Sequence, residues 1–383
     1  MSNRSTSCDV AVVGGGVVGL AVAWRAAQRG LSVTVLDRAQ PGAGTSRVAA
    51  GMLAPVTEAD PSEPVVLRLG LAAARAYPSF VAELAEASGR DPGYLACGTL
   101  VVARDADEAE ALAHEHDFRR RLELPVKRLR ASEARALEPA LAPALRLALS
   151  VPDDHAVDPR QLTSALVDGV RCAGAALVRA SVVSLIGSGE RVVGVVLNDG
   201  QRLGAEHVVI AAGAWSERIG GLDPEARVPL RPVKGQILFL RDPTGPGLLG
   251  RVVRMSDGYL VPRGDGRYVL GATMEERGFD TSVTAGAAFK LLRDASELVP
   301  GIGELVIEEL CAGLRPATPD NVPAIGPGAL TGLHWAVGHY RNGVLLAPLT
   351  AELVLAGIEG GALPDEFRAA LAPSRFTRAP ARA

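Results

Sequence analysis

Cysteine is scarce and scattered in this sequence: Cys8, Cys97, Cys172 and Cys311 lie far apart, and no two form a CxxC pair. That excludes a disulfide framework and a structural zinc site, and it suits reduced thiols in the cytoplasm, the expected location. Charge of one sign is missing too. Forty basic against 43 acidic residues leave a net charge of −3, so no global field draws the chain to nucleic acid or to an anionic membrane. The most apolar N-terminal stretch, 10–24, carries three consecutive glycines and is closed by Arg25. It is shorter than the roughly 20 residues of a membrane span. No basic segment or small-residue cleavage site frames it, so it reads as a buried strand and helix.

Apolar residues reach 48%, charged residues 22% and aromatics only 4%. That balance fills large cores and excludes a disordered chain. The 383 residues suggest two or three domains. The 43 glycines and 26 prolines have no collagen-like period, and there is no internal repeat or long linker. The glycines therefore mark turns and close backbone approaches.

Element types alternate at the start. Residues 9–13 form a short apolar strand, Gly14-Gly15-Gly16 breaks it, residues 17–29 have the alanine content of a helix, and 32–36 form a second strand ended by Asp37. Further helices are expected over 60–88, 161–173, 285–298 and 350–358, with solvated charged helices in 105–147. Strands are expected at 176–179, 191–197 and 207–213, and short antiparallel runs between turns fill 228–280. The basic tail 373–383 is expected to fray. The fold class is α/β: a Rossmann-like dinucleotide-binding domain with an interleaved substrate domain on a mainly antiparallel sheet. The boundaries are 1–85, 150–222 and 308–383 for the first and 86–149 and 223–307 for the second.

Gly14-x-Gly16-x-x-Gly19 falls between strand and helix, where the spacing has a mechanical meaning. One glycine makes the tight turn, one admits a pyrophosphate to the backbone, and one lets the helix pack on the strand. Asp37 follows Gly19 at 18 residues, near the spacing of about 20 for an acid that holds a ribose hydroxyl. The acid disfavours a 2′-phosphate without separating NAD from FAD. After it, 41–52 is a loop of small residues that can thread along an extended cofactor.

These stretches, with Val208-Val209-Ile210-Ala211-Ala212-Gly213-Ala214-Trp215, resemble the FAD-dependent amine and amino-acid oxidoreductases of the D-amino-acid oxidase superfamily, over nearly the whole chain. Within that superfamily the sequence is most similar to the glycine oxidases of the thiamine pathway. The finer match rests on 259–263 with 271–274, on 312–320, and above all on Gly338-His339-Tyr340-Arg341-Asn342-Gly343-Val344-Leu345-Leu346-Ala347-Pro348. The resemblance implies FAD contacts at Gly14, Gly16, Val17, Val18, Gly19, Asp37, Arg38, Thr45, Ser46, Ala50, Gly51 and Met52. It adds Val182 near the adenine, and His339, Tyr340, Arg341, Asn342, Gly343, Val344 and Leu345 around the flavin ring.

A flavin that takes a hydride from an amino acid leaves the protein to position the substrate, so no catalytic side chain is assigned. A planar guanidinium suits the substrate carboxylate. Arg315 and Arg341 are the candidates that the family motif raises above other arginines, with Tyr259 as a further carboxylate contact and Met52 and Met274 as walls of a small apolar pocket. His339 is taken as a flavin-loop residue. His155 among Asp153, Asp154 and Asp158 reads as a turn with solvated acids, and no metal is assigned.

Two departures bear on the expectation. Glycine oxidases often carry a histidine two residues before the carboxylate-binding tyrosine; here that position is Asp257. Monomeric sarcosine oxidases attach FAD through a cysteine seven residues before the Asp of Thr-Pro-Asp; here that position is Gly313, and Cys311 is out of register, so FAD is expected to be non-covalent. The resemblance implies oxidation of glycine, sarcosine or small D-amino acids, with O2 or another electron carrier as acceptor. It also implies a possible hand-off to a thiazole synthase and a homotetramer. A non-enzymatic flavin-binding module is the reading from another class.

Overall fold

The computed structural model describes residues 7–376. Residues 373–376 form a short 3-10 turn, and the fraying expected of the tail beyond it lies outside the described residues. Strand β1 (Ser7–Val13), helix α1 (Val17–Gln28) and strand β2 (Val33–Asp37) make the expected βαβ unit. β1 pairs in parallel with β2 on one side and with Arg202–Ile210 on the other. Val10, Ala11 and Val12 are fully buried because both faces of this parallel centre are covered. The eight-stranded sheet runs Val182–Ser188, Arg191–Leu197, Arg202–Ile210, β1, β2, Ala176–Arg179. Leu333–Val337 joins Arg202–Ile210 in parallel and carries Ala324–Pro327. The strand Val182–Ser188 was not expected; its ladder shifts register twice, and Gly187 and two serines dilute its apolar pattern.

Four helices pack on one face of that sheet: α1, Pro64–Ser88, Pro159–Cys172 and Gly343–Ile358. Pro64–Ser88 is the one described helix long and apolar enough to cross a membrane, yet Leu69, Ala73, Tyr77, Phe80 and Leu84 face the core. The last helix starts seven residues earlier than the expected 350 and runs straight through Pro348. A proline there leaves the carbonyl of Val344 without its helical donor, and the hydroxyl of Tyr77 donates to it at 3.3 Å. The stretch 105–147 is not wholly helical either: Lys127–Leu129 is a strand on Leu147–Val151.

The second eight-stranded sheet runs Val306–Ala317, Arg231–Arg241, Arg267–Gly271, Gly258–Pro262, Val252–Met255, Thr99–Ala103, Leu147–Val151, Lys127–Leu129. It is antiparallel throughout except where Val252–Met255 meets Thr99–Ala103. Its longest ladder joins Arg231–Arg241 to Val306–Ala317. Residues 308–317, expected with the FAD-binding segments, thus belong to the second sheet, held there by that ladder. A small third sheet of Met52–Leu53, His155–Val157 and Tyr94–Leu95 lies beside it.

Candidate active site

A cavity of about 570 Å3 opens between the two large sheets. Its first end is built by the glycine turn. Gly14 has φ +110°, and a Cβ there would fall 2.4 Å from the carbonyl oxygen of Ala211; a Cβ on Gly19 would fall 2.0 Å from that of Gly14. Gly16 caps α1 without a side-chain acceptor, and no acid stands in the helix's first turn. The helix dipole is therefore open to an anion, as phosphate requires. The Val17 N–H donates to Ser46 Oγ at 2.9 Å, which fixes the small-residue loop against the helix end. Asp37 accepts the N–H groups of Gly15 at 2.7 Å and Ala39 at 2.8 Å, so its carboxylate shapes the turn while it faces the cavity.

Gly44 and Gly213 line the cavity, and a Cβ on either would meet nothing within 4 Å. Asp37 and Glu58 are the lining carboxylates; Arg38, Arg218, Arg315 and Arg341 are the lining cations. An elongated, cationic groove with small residues and a helix N-terminus on its wall fits a dinucleotide. Gly14, Gly16, Val17, Val18, Asp37, Arg38, Thr45, Ser46, Ala50, Gly51, Met52, Val182, His339, Tyr340, Arg341, Asn342, Gly343 and Val344 all line it. Gly19 and Leu345 do not. Gly19 acts one layer back, by letting α1 approach the turn. Leu345 is 2% exposed and turned toward Gly70 of Pro64–Ser88, because the helix already begins at Gly343.

At the other end the second sheet supplies Arg315 and Tyr259, and the loop before the helix Gly343–Ile358 supplies His339 and Arg341. Arg315 Nη1 donates to the carbonyls of Thr273 at 3.1 Å and Lys234 at 3.4 Å. The Tyr259 phenol lies against the same guanidinium; burial pushes its pKa up, and Arg315 pulls it partly back. Arg341 stands 3.9 Å from Glu58 and 3.5 Å from Glu63. His339 is 3% exposed, and its Nε2 pairs with Thr350 Oγ1 at 2.9 Å. Burial holds its pKa down at about 4, so the ring is neutral near pH 7.

One pocket assignment fails here. Met274 is 68% exposed, and its sulfur accepts from the Tyr340 hydroxyl at 3.0 Å rather than walling the pocket. Asp257 sits in the turn between Val252–Met255 and Gly258–Pro262 and pairs with Lys290 at 3.1 Å, outside the cavity. Of the acids around His155, Asp153 is exposed as expected, but Asp154 and Asp158 are buried. Asp154 is fully buried and accepts the N–H groups of Val56 at 3.1 Å and Thr57 at 2.6 Å, and burial lifts its pKa to about 6. Asp158 caps the helix Pro159–Cys172. Among the described residues no His, Cys, Asp and Glu group has metal-binding geometry.

Glu58 was missed. Its neighbours Thr57, Ala59 and Asp60 make the stretch read as solvated loop. The loop is instead clamped by Asp154 and by Arg119, whose guanidinium donates to the carbonyls of Val56 and Thr57, both at 2.8 Å. Trp215 and Arg218 were missed as lining residues, although the strand before them carried the resemblance.

The family model for DAO, FAD dependent oxidoreductase, matches residues 9–356. The chain is 38% identical over 377 residues to a glycine oxidase of Geobacillus kaustophilus, covering 97% of both chains. It is 36% identical over 354 residues to a bifunctional protein ThiO/ThiG of Synechocystis, covering 91% of this chain and 51% of that one. A crystal structure of glycine oxidase from Geobacillus kaustophilus superposes with a TM-score of 0.89 at 36% identity, over 97% of this chain and 99% of that one. The glycine turn, the cationic groove and both Arg315 and Arg341 of the cavity lie within the matched residues. The chain belongs to the DAO family of FAD-dependent oxidoreductases.

Proposed function

We propose that the protein oxidises glycine, and with it sarcosine or other small amino acids, to the imine and then the 2-oxo acid, with O2 as the electron acceptor. The observation that carries this reading is the cavity end where Arg315, Tyr259 and Arg341 converge, a carboxylate site at the far end of a dinucleotide groove. The names of the similar glycine oxidases support glycine as the substrate. When bound, FAD supplies the two-electron acceptor for the substrate's Cα–H bond. The balance is glycine, O2 and water giving glyoxylate, ammonia and hydrogen peroxide.

The chain's own residues orient the substrate. The fork of Arg315 takes the carboxylate, the Tyr259 phenol donates to the same group, and Arg341 adds positive potential from the other wall. No side chain is assigned as base: His339 is buried and its Nε2 is engaged with Thr350 Oγ1. Cys311 does not line the cavity and Gly313 does, which supports non-covalent FAD. The bifunctional relatives, whose names pair ThiO with ThiG, support delivery of the product to a thiazole synthase. A cytoplasmic homotetramer completes the reading.

Anaerobic mixing of the holoenzyme with glycine and sarcosine tests it. Bleaching of the flavin's visible band is expected, followed by hydrogen peroxide when air is admitted. No bleaching with either amino acid overturns the substrate. Bleaching without peroxide overturns O2 as the acceptor.

A further inference from the structure

The segment 272–284 is fastened at both ends of the cavity. Near Arg315, the backbones of Lys234 and Glu275 exchange hydrogen bonds at 2.8 and 3.0 Å. Gln236 donates from its backbone to Thr273 Oγ1 at 2.9 Å and accepts the Thr284 N–H at 2.7 Å. Toward the dinucleotide end, the ring of Phe279 packs 5.8 Å from that of Trp215, and the Arg218 guanidinium lies 3.6 Å above Phe279. Trp215 and Arg218 are themselves cavity wall. One ion pair ties the two fastenings together: Lys234, 1% exposed, reaches Asp280 at 2.7 Å.

We infer that Asp280 and Lys234 are positioning residues for Arg315, acting through this strap. Of the two carbonyls that hold Arg315, one, Thr273, belongs to the strap, and the other belongs to Lys234. With the strap loose, Arg315 keeps one carbonyl and regains side-chain freedom, so a carboxylate must order it on binding. The inference rests on Arg315 as the carboxylate site. It also has a reciprocal form: if strap closure favours carboxylate binding, a bound carboxylate favours closure by the same factor.

Arg277 reports closure, because it is exposed and is the single Lys or Arg in 272–284, hence the trypsin site there. In the holoenzyme, saturating acetate is expected to slow cleavage after Arg277 roughly fivefold. Asp280→Asn is expected to raise the acetate Kd, read from the flavin spectrum, by roughly fivefold and to abolish the protection, with Asp280→Glu restoring both. A merely structural role would lower the melting temperature without moving the acetate Kd. If Asp280→Asn does not fold, Phe279→Leu loosens the far fastening without unpairing a buried charge and is read in the same way. An unchanged acetate Kd in the folded variant overturns the inference. Arg315→Ala separates the premise: an acetate Kd unchanged there shows that Arg315 does not hold the carboxylate, and removes the inference with it.

Discussion

A methyl group on Gly235 would fall 2.5 Å from both terminal nitrogens of Arg315. The two residues sit on the paired strands Arg231–Arg241 and Val306–Ala317, and the guanidinium occupies the space that a side chain at position 235 would need. The obstructing atoms are the end of a flexible side chain, so Gly235→Ala should fold and hold FAD while it displaces the guanidinium. Losing a charge-assisted contact to the substrate is expected to raise KM for glycine by roughly tenfold or more. Steady-state kinetics with flavin content measured alongside checks this; an unchanged KM would place the carboxylate elsewhere.

Glu58 should act in the opposite direction. Its carboxylate, with a side chain 14% exposed, lies 3.6 Å from Arg254 and 3.9 Å from Arg341, drawing positive potential away from the substrate end. Glu58→Gln is expected to tighten binding of a simple carboxylate such as acetate by roughly threefold to tenfold, and less in high salt. Titration of the oxidised flavoprotein at low and high ionic strength reads it. Weaker glycine binding alongside tighter acetate binding would assign Glu58 to the substrate's amine.

Asp154 and His339 give stability opposite dependences on pH over nearly the same range. Asp154 has a folded pKa of about 6 against an ordinary 3.8, so the folded state holds its proton longer and stability falls as pH rises from about 4 to 6. His339 has a folded pKa of about 4 against 6.5, so the unfolded state takes up the proton first and stability falls as pH drops from about 6.5 to 4. Each shift corresponds to about 3 kcal/mol. Denaturant unfolding at pH 4 and pH 7 should show wild type losing about that much relative to Asp154→Asn on going up in pH. Relative to His339→Gln, wild type should lose a similar amount on going down. Parallel curves for either variant would remove that residue as the source.

What could be read from sequence follows how local each feature is. Gly14, Gly16, Gly19 and Asp37 announce a dinucleotide turn because strand, turn, helix and second strand follow one another without interruption. Arg315 and Tyr259 are far apart in the chain and meet only through the second sheet, so they were legible through family resemblance alone. Glu58 was not legible, since a loop held by Asp154 and Arg119 from distant segments has the composition of a solvated one. Met274 was misplaced for the converse reason: its neighbours match a motif, but it lies on the outer side of the strap. Leu345 came from the family resemblance alone; the helix already begins at Gly343, with the hydroxyl of Tyr77 taking up the carbonyl that Pro348 leaves free, and this turns Leu345 into the core.

The N-terminus of α1 should trade stability against cofactor affinity. Gly16 provides no cap, the first turn has no acid, and the Val17 N–H already points at Ser46 Oγ from the cavity wall. Ser46→Asp puts a carboxylate where it caps the helix and complements its dipole, so the apoprotein should gain about 1 kcal/mol in denaturant unfolding. The same charge stands where a pyrophosphate would rest, and repulsion together with lost donors is expected to weaken FAD binding by roughly a hundredfold. Titration of the apoprotein with FAD, followed by flavin fluorescence, measures the second effect independently of turnover. A variant that is more stable without FAD and poorer at binding it would show that the bare helix end is kept for the phosphates. A variant that binds FAD normally would mean that the phosphates lie away from this helix.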